Sequence, residues 1–246
     1  MAWQLDLLRV LERRMANLGQ VAELWVLGSA REPESLDDWS DLDLGLVLTG
    51  PVSLGTLLGS KQTIWAMDRS RDERRSTWRI VFSDGRRLDL VVADHDELGR
   101  AGGRCLQSRT GASQRSAEPL ITDEPTTDAD ANEARFIAAQ ALVKHGRGDL
   151  LIATHLCLEL AQLCLVQAML LRDRDEGVTS HRVGTARDEV AQRIMSVLEA
   201  DINRSGTAAI RQLTAHFDQL HGELDPSYQP DWTGLVNLIR LIGRAC

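Results

Sequence analysis

The sequence is poor in cysteine, and its cysteines are not spaced for metal binding. The 246 residues contain Cys105, Cys157, Cys164 and Cys246. No two of them form the Cys-x-x-Cys pair that is typical of zinc sites, so we expect no zinc. Cys157 and Cys164 lie on one predicted helix, too far apart along its axis to form a disulfide. We expect buried, free thiols in a reducing cytoplasm.

Positive charge is also scarce. Lysine and arginine together number 28 against 36 aspartates and glutamates, which gives a formal net charge of −8. A protein that binds nucleic acid of any sequence normally carries a basic face, and no basic stripe is evident here. The composition therefore argues against a polymerase or a tRNA-modifying enzyme. An acidic cleft instead favours a small cationic substrate, whose local concentration the field raises.

The sequence predicts neither a targeting segment nor a membrane span. Residues 1–6 lack a charged stretch followed by an apolar run, so we expect no signal peptide and a cytoplasmic protein. The longest apolar stretch, residues 150–171, is interrupted by four polar side chains, which predicts a buried core helix rather than a membrane span. No internal repeat or low-complexity tract occurs.

The sequence does contain a Gly-Ser turn followed by two closely spaced aspartates. Gly28 and Ser29 end an apolar segment, and Asp41 and Asp43 open the next one, residues 42–48. Residues i and i+2 of a strand point to the same face, so the two carboxylates repel each other unless a cation neutralises them. Mg²⁺ that carries substrate phosphates is the commonest such ion, and the Gly-Ser turn offers a place for a phosphate.

A third carboxylate follows on a later strand. Asp84-Gly85 marks a hairpin turn between predicted strands at residues 77–82 and 87–93. Strand pairing through this hairpin is expected to bring Asp89 beside Asp41 and Asp43.

This order of residues resembles the nucleotidyltransferase superfamily that includes DNA polymerase beta. The family pattern is an apolar strand, Gly-Ser, about ten residues, Asp-x-Asp on the next strand, and a later carboxylate; the match covers residues 20–95. Chain length and a helical second half are similar to those of the aminoglycoside nucleotidyltransferases, which adenylylate antibiotic hydroxyls. The resemblance implies Mg²⁺ as cofactor and ATP as substrate.

The resemblance also implies roles for individual residues. Asp41, Asp43 and Asp89 would bind metal, and Asp89 would also serve as a general base. Gly28, Ser29 and Arg31 would bind the phosphates of ATP, although many small family members place this arginine two residues later. Further candidates for neutralising the triphosphate are Lys61, Arg79 and Arg87.

Glu159 is the candidate in the second half of the chain. It lies in a strongly apolar helical run, one turn after His155. Burying a carboxylate is costly unless it is paired or functional. Two interpretations stay open. Glu159 is either structural, as an internal pair with His155 or part of a polar stripe that faces the cleft, or functional, as a residue that binds a substrate amine or acts as the catalytic base.

The pattern of apolar residues predicts an α+β fold of two domains. Residues 1–117 would form a nucleotidyltransferase catalytic domain, a mixed β-sheet flanked by helices, and residues 118–246 a helical bundle that binds the second substrate. Within the first domain, residues 4–18 predict an amphipathic helix, and residues 99–117 predict a loop. Predicted helices of the second domain span residues 130–146, 149–173, 184–202, 206–222 and 231–244.

The leading functional hypothesis is Mg²⁺-dependent transfer of AMP from ATP to a hydroxyl of an aminoglycoside, by a monomer or homodimer. One alternative is adenylylation of a protein partner, as in some toxin–antitoxin pairs. Another is a nucleotide-binding module without turnover. Arg211 and His216 additionally show a spacing that resembles helical ribonuclease-like domains, although such spacing is common on helix surfaces.

Overall fold

The computed structural model describes residues 2–109, 121–122, 128–201 and 206–242. The chain divides into two compact units, one formed by Met1–Asn132 with Thr233–Cys246 and one by Glu133–Trp232. The predicted boundary after residue 117 lies outside the described residues. Elements of the first unit are α1 (Trp3–Met15), β1 (Val21–Val26), β2 (Leu42–Leu48), α2 (Leu54–Leu58), β3 (Ile64–Arg71), β4 (Ser76–Phe82), β5 (Arg87–Val92), α3 (His95–Arg100) and β6 (Arg104–Ser108). The later helices are α4 (Ala129–Gly146), α5 (Leu150–Glu176), α6 (Asp188–Asp201), α7 (Gly206–Leu224) and α8 (Thr233–Ile242).

The strands form one six-stranded mixed sheet in the order β3-β4-β5-β2-β1-β6. Every neighbouring pair is antiparallel except β2 and β5, which run parallel at the centre. The mixed sheet with flanking helices confirms the predicted α+β class. The Asp-Gly hairpin is also confirmed, since Gly85 donates its N–H to the Phe82 carbonyl at 2.9 Å.

The two faces of the sheet bury different residues. Leu24, Leu44 and Leu90 belong to the main core, which α1 and α2 complete. The other face holds a smaller cluster in which Trp25 and Leu98 pack together, and Leu98 comes from α3. Because strand residues alternate, Asp43 and Asp89 lie on this second face. The fold therefore keeps the carboxylates away from the main apolar core.

One strand was not predicted. Residues 104–108 were expected to be a loop, yet they form β6 and pair with β1, so that prediction is wrong. The strand lies at the sheet edge, and its side chains are exposed or half-exposed. Without a buried face it lacks the apolar alternation by which a strand is recognised.

The final helix belongs to the first unit. In α8, Asn237 Nδ2 donates to the Ser83 carbonyl at 2.8 Å, next to the Asp-Gly turn. Gly234 lies so close to the Trp65 ring that a Cβ at this position would overlap it. The last helix thus covers the β3 and β4 side of the sheet.

The second unit is helical, and α5 packs along α7. Cys157 and Cys164 on α5 are buried and free, as expected, and burial raises the pKa of the Cys157 thiol to about 11 and that of Cys164 to about 12. Among the described residues, α5 alone is long and apolar enough to cross a membrane, a test that core helices of soluble proteins also pass. Leu151 and Leu158 on its other face are exposed, so the helix is buried on one side only.

A buried carboxylate ties α3 and β6 to β1. Glu23, which is 7% exposed, accepts hydrogen bonds from Trp25 Nε1 at 2.8 Å and from Ser108 Oγ at 3.3 Å. His95 Nδ1 lies 3.0 Å from the same carboxylate. The hydrogen bond to Glu23, followed by the Glu23 charge, raises the pKa of His95 above its usual value.

Replacing this histidine should cost stability in acid and not in alkali. Because the folded pKa of His95 is raised, its contribution is complete below the unfolded pKa of about 6.5 and disappears as pH rises through the folded pKa. We expect His95→Gln to lower the urea midpoint more at pH about 5.5 than at pH about 9. Ser108→Ala is the matched control, since it removes a donor to Glu23 that does not titrate. Equal losses for His95→Gln at both pH values would contradict the prediction.

Candidate active site

The parallel pairing of β2 and β5 brings the predicted carboxylates together. Asp43 lies directly opposite Asp89 in the strand register, and Asp41 comes just before β2. The proximity of Asp89 was predicted, but the hairpin contributes only indirectly. The turn pairs β5 with β4, and β5 then adds to β2 as its parallel neighbour.

The Asp89 carboxyl group has a strongly raised pKa. Burial raises its pKa to about 7, and the charges of Asp41 and Asp43 add to the increase. Arg79 and Arg87 act in the opposite direction without cancelling it. Ionising Asp89 beside two other carboxylates is therefore unfavourable until a positive charge arrives, which is the electrostatic character of a cation site.

An arginine stands beside Asp89 on the neighbouring strand. Arg79 Nη1 donates to Asp68 Oδ2 at 2.9 Å, and Arg79 Nε lies 3.9 Å from Asp89 Oδ2. Asp68 therefore fixes a guanidinium next to the carboxylates. Sequence reasoning named Arg79 as a phosphate candidate but missed Asp68, whose role depends on the register between β3 and β4.

The Gly-Ser turn packs against one of the paired carboxylates, that of Asp43. Gly28 has φ 51°, and a Cβ at this position would overlap the Asp43 carboxylate. The preceding Leu27 N–H donates to the Asp43 carbonyl at 3.0 Å. Ser29 follows in a short 3₁₀ helix, Gly28–Arg31, and no hydrogen bond joins its hydroxyl to another described residue. Gly28 thus lies against Asp43, and Ser29 is the next residue of the same turn. Phosphate binding by these two residues stays a prediction.

We expect Gly28→Ala to disrupt this contact. The new methyl group would occupy the space of the Asp43 carboxylate, and alanine disfavours the positive φ. Mn²⁺ affinity, followed by titration calorimetry as a substitute for Mg²⁺ binding, should fall by about tenfold or more. Gly99→Ala is the matched control, because nothing lies near the position of its Cβ. Unchanged affinity in a folded Gly28→Ala protein would contradict the prediction.

Arg31 is engaged with the backbone of the first unit. Its Nε donates to the Gly28 carbonyl at 3.1 Å and its Nη1 to the Gly102 carbonyl at 2.5 Å. These bonds fasten the turn after α3 to the Gly-Ser turn. Binding of ATP phosphates by Arg31 stays a prediction, and the observed bonds give the side chain a local structural role.

Two side chains hold the loop before Asp41: Gln4, which sequence reasoning missed, and Arg87, which it named only as a phosphate candidate. Gln4 Nε2 donates to the carbonyls of Asp37 at 2.7 Å and Ser40 at 2.9 Å. Arg87 Nη2 donates to the Trp39 carbonyl at 2.5 Å. Gln4 could have been found from the sequence, because it occupies a buried position on the apolar stripe of α1.

Glu159 lies on α5, in the second unit. Its carboxylate is 3.3 Å from His155 Nε2, and its side chain is 41% exposed. The pair with His155, one of the open interpretations, is therefore present, but it is exposed rather than internal to the apolar run. A catalytic or amine-binding role for Glu159 stays a prediction.

The site's residues suit a hard divalent cation in their chemistry. Asp41, Asp43 and Asp89 supply only carboxylate oxygens, the ligand type that Mg²⁺ prefers, and their mutual repulsion is the kind that a cation relieves. Within the described ranges, no group of three histidine, cysteine, aspartate or glutamate side chains is already arranged around a metal position.

Comparisons with known proteins provide little information beyond this geometry. No protein-family model matches the chain. A search of curated proteins likewise finds no match. Among solved structures, the chain is similar to an aminoglycoside 6-adenyltransferase from Bacillus subtilis, with 11% identity, coverage of 99% of this chain and 98% of that chain, and a TM-score of 0.32. A likeness at this level carries no argument about fold or function.

Proposed function

We propose that this protein is a Mg²⁺-dependent nucleotidyltransferase that transfers AMP from ATP to a hydroxyl of a small cationic acceptor, an aminoglycoside. The observation that carries the proposal is the opposition of Asp43 and Asp89, with Gly28 packed against Asp43. The net charge of −8 supports a cationic acceptor, because an acidic protein attracts one. We expect the reaction in the cytoplasm.

The carboxylates would bind the metal. Asp41, Asp43 and Asp89 would hold Mg²⁺, which stabilises charge on the phosphoryl and pyrophosphate oxygens when it is bound. Ser29 would donate its hydroxyl to a phosphate oxygen. Gly28, which lacks a side chain, would let the phosphates approach the backbone closely.

Asp89 is the first candidate for the base that takes the proton of the attacking hydroxyl. Its pKa of about 7 in the metal-free protein makes it a stronger base than an ordinary aspartate. Arg79, held by Asp68, adds a positive charge next to that carboxylate. Glu159 is the second candidate, and a variant of each residue separates the two.

Pyrophosphate release tests the proposal. The purified protein is incubated with Mg²⁺, ATP and each member of an aminoglycoside panel, and pyrophosphate is measured. Release that requires one antibiotic confirms the reaction and identifies the acceptor class. Metal-dependent ATP binding without release for any member refutes the aminoglycoside and redirects the search to protein acceptors. If no nucleoside triphosphate binds, the proposed function is wrong.

A further inference from the structure

The loop before the paired aspartates is held by side chains from two different elements. Three of the four carbonyls of residues 37–40 accept side-chain hydrogen bonds, two from Gln4 on α1 and one from Arg87 on β5. Ser40 Oγ also donates to Asp37 Oδ1 at 2.6 Å, which closes the loop on itself.

The side chains of Gln4 and Arg87 are both buried, which makes their hydrogen bonds to the loop energetically important. Gln4 is 0% exposed and Arg87 is 2% exposed. A buried amide or guanidinium is costly unless it forms hydrogen bonds. The other buried residues of α1 are all apolar, namely Leu7, Leu8, Leu11 and Met15, so Gln4 is the polar exception on this face. What the glutamine adds at this position is its two hydrogen bonds to the loop.

The loop leads directly into the candidate site. The Ser40 carbonyl, which Gln4 binds, belongs to the peptide bond that joins Ser40 to Asp41. Arg87 lies two residues before Asp89 on β5, and so on the same face of the sheet. A single side chain therefore connects the loop that carries Asp41 with the strand that carries Asp89.

We propose that Gln4 and Arg87 are positioning residues that fix Asp41 relative to Asp43 and Asp89 for cation binding. The inference rests on the proposed function in one respect, namely that these carboxylates hold a divalent cation. Neither Gln4 nor Arg87 is proposed to contact the substrate. They act through the backbone of residues 37–40.

The test compares Gln4→Met with Leu11→Ala. Methionine matches glutamine in shape but donates no hydrogen bond, so the variant removes two bonds and keeps the volume. Leu11 is fully buried on the same helix, and its truncation lowers stability through a cavity instead. We expect Gln4→Met to speed hydrogen exchange in residues 37–43 and to weaken Mn²⁺ binding by about tenfold. Leu11→Ala should lower the thermal midpoint without either local change.

Several outcomes would overturn the inference. Unchanged exchange and unchanged Mn²⁺ affinity in folded Gln4→Met would do so, as would the same pair of changes in Leu11→Ala. If Gln4→Met does not fold, Gln4→Asn replaces it, since its shorter side chain cannot reach both carbonyls. If the wild-type protein binds no Mn²⁺, the proposed function fails, and exchange in residues 37–43 still decides whether Gln4 holds the loop.

Discussion

The Asp41→Asn/Asp43→Asn double variant is expected to lose pyrophosphate release while keeping its fold. Asparagine preserves the shape of each side chain but removes both negative charges at the start of β2. Without them, Asp89 alone cannot bind the cation tightly, and charge that develops on the phosphoryl oxygens is not stabilised. The loss of rate should be on the order of 10³-fold or more.

This result has a second part that concerns Asp89 itself. The charges of Asp41 and Asp43 both raise the Asp89 pKa, so their removal should lower it. Carbon-13 NMR titration of the Asp89 carboxyl group measures the shift without any turnover. Asp96→Asn, an exposed position on α3, serves as the control and should change neither the rate nor this pKa. Full pyrophosphate release by the folded double variant would contradict the assignment of the site.

Much of the first unit could be predicted from residue patterns. Leu42, Leu44 and Leu46 alternate with smaller or polar residues, which identifies β2 and assigns Asp43 to the face opposite the main core. The Asp-Gly turn predicted the hairpin because few other sequences accept a positive φ there, and Gly85 has φ 85°. Both features depend on residues that are close together in the chain, so a short stretch of sequence is enough to predict them.

Strand pairing between distant segments was harder to predict. The hairpin fixes β5 against β4, but the parallel partnership of β2 and β5 joins residues more than forty positions apart. That choice depends on which apolar surfaces pack together, and a pattern along one strand does not contain it. The edge strand β6 was not predicted for a related reason. An exposed strand has no buried face, so its sequence shows no alternation of apolar and polar residues.

The buried polar residues show what a periodicity analysis misses. Apolar spacing in α1 identifies Leu8, Leu11 and Met15 as buried. Gln4 lies on the same buried stripe, but a polar residue is not recognised by apolar spacing. Arg87 was named only as one of several candidates for neutralising the triphosphate, yet it is almost completely buried. A polar residue at a core position of a predicted helix or strand is therefore a useful indication of a loop that needs support.

Replacing Asp89 should stabilise the metal-free protein at alkaline pH and abolish its activity. The folded pKa of about 7 lies above the usual value of 3.8, so the folded state resists the ionisation that the unfolded chain accepts freely. The resulting penalty is absent below the unfolded pKa, grows as pH rises through this range, and is complete above the folded pKa. Asp89→Asn removes a partly buried charge that two neighbours repel. We expect a gain on the order of a few kcal/mol in the free energy of unfolding at pH about 8.

Urea unfolding in EDTA, at pH about 8 and again near 4, measures the gain, which should disappear at the lower pH. Asp84→Asn in the exposed hairpin turn is the control and should show no such pH-dependent gain. Added Mg²⁺ should stabilise the wild-type protein more than Asp89→Asn, because the cation relieves the repulsion that the variant has already lost. A stabilised but inactive Asp89→Asn protein would show that the fold keeps an unfavourable charge at this position for its chemistry. Equal stability of the two proteins at pH about 8 would contradict the raised pKa, and with it the basis for treating Asp89 as the base.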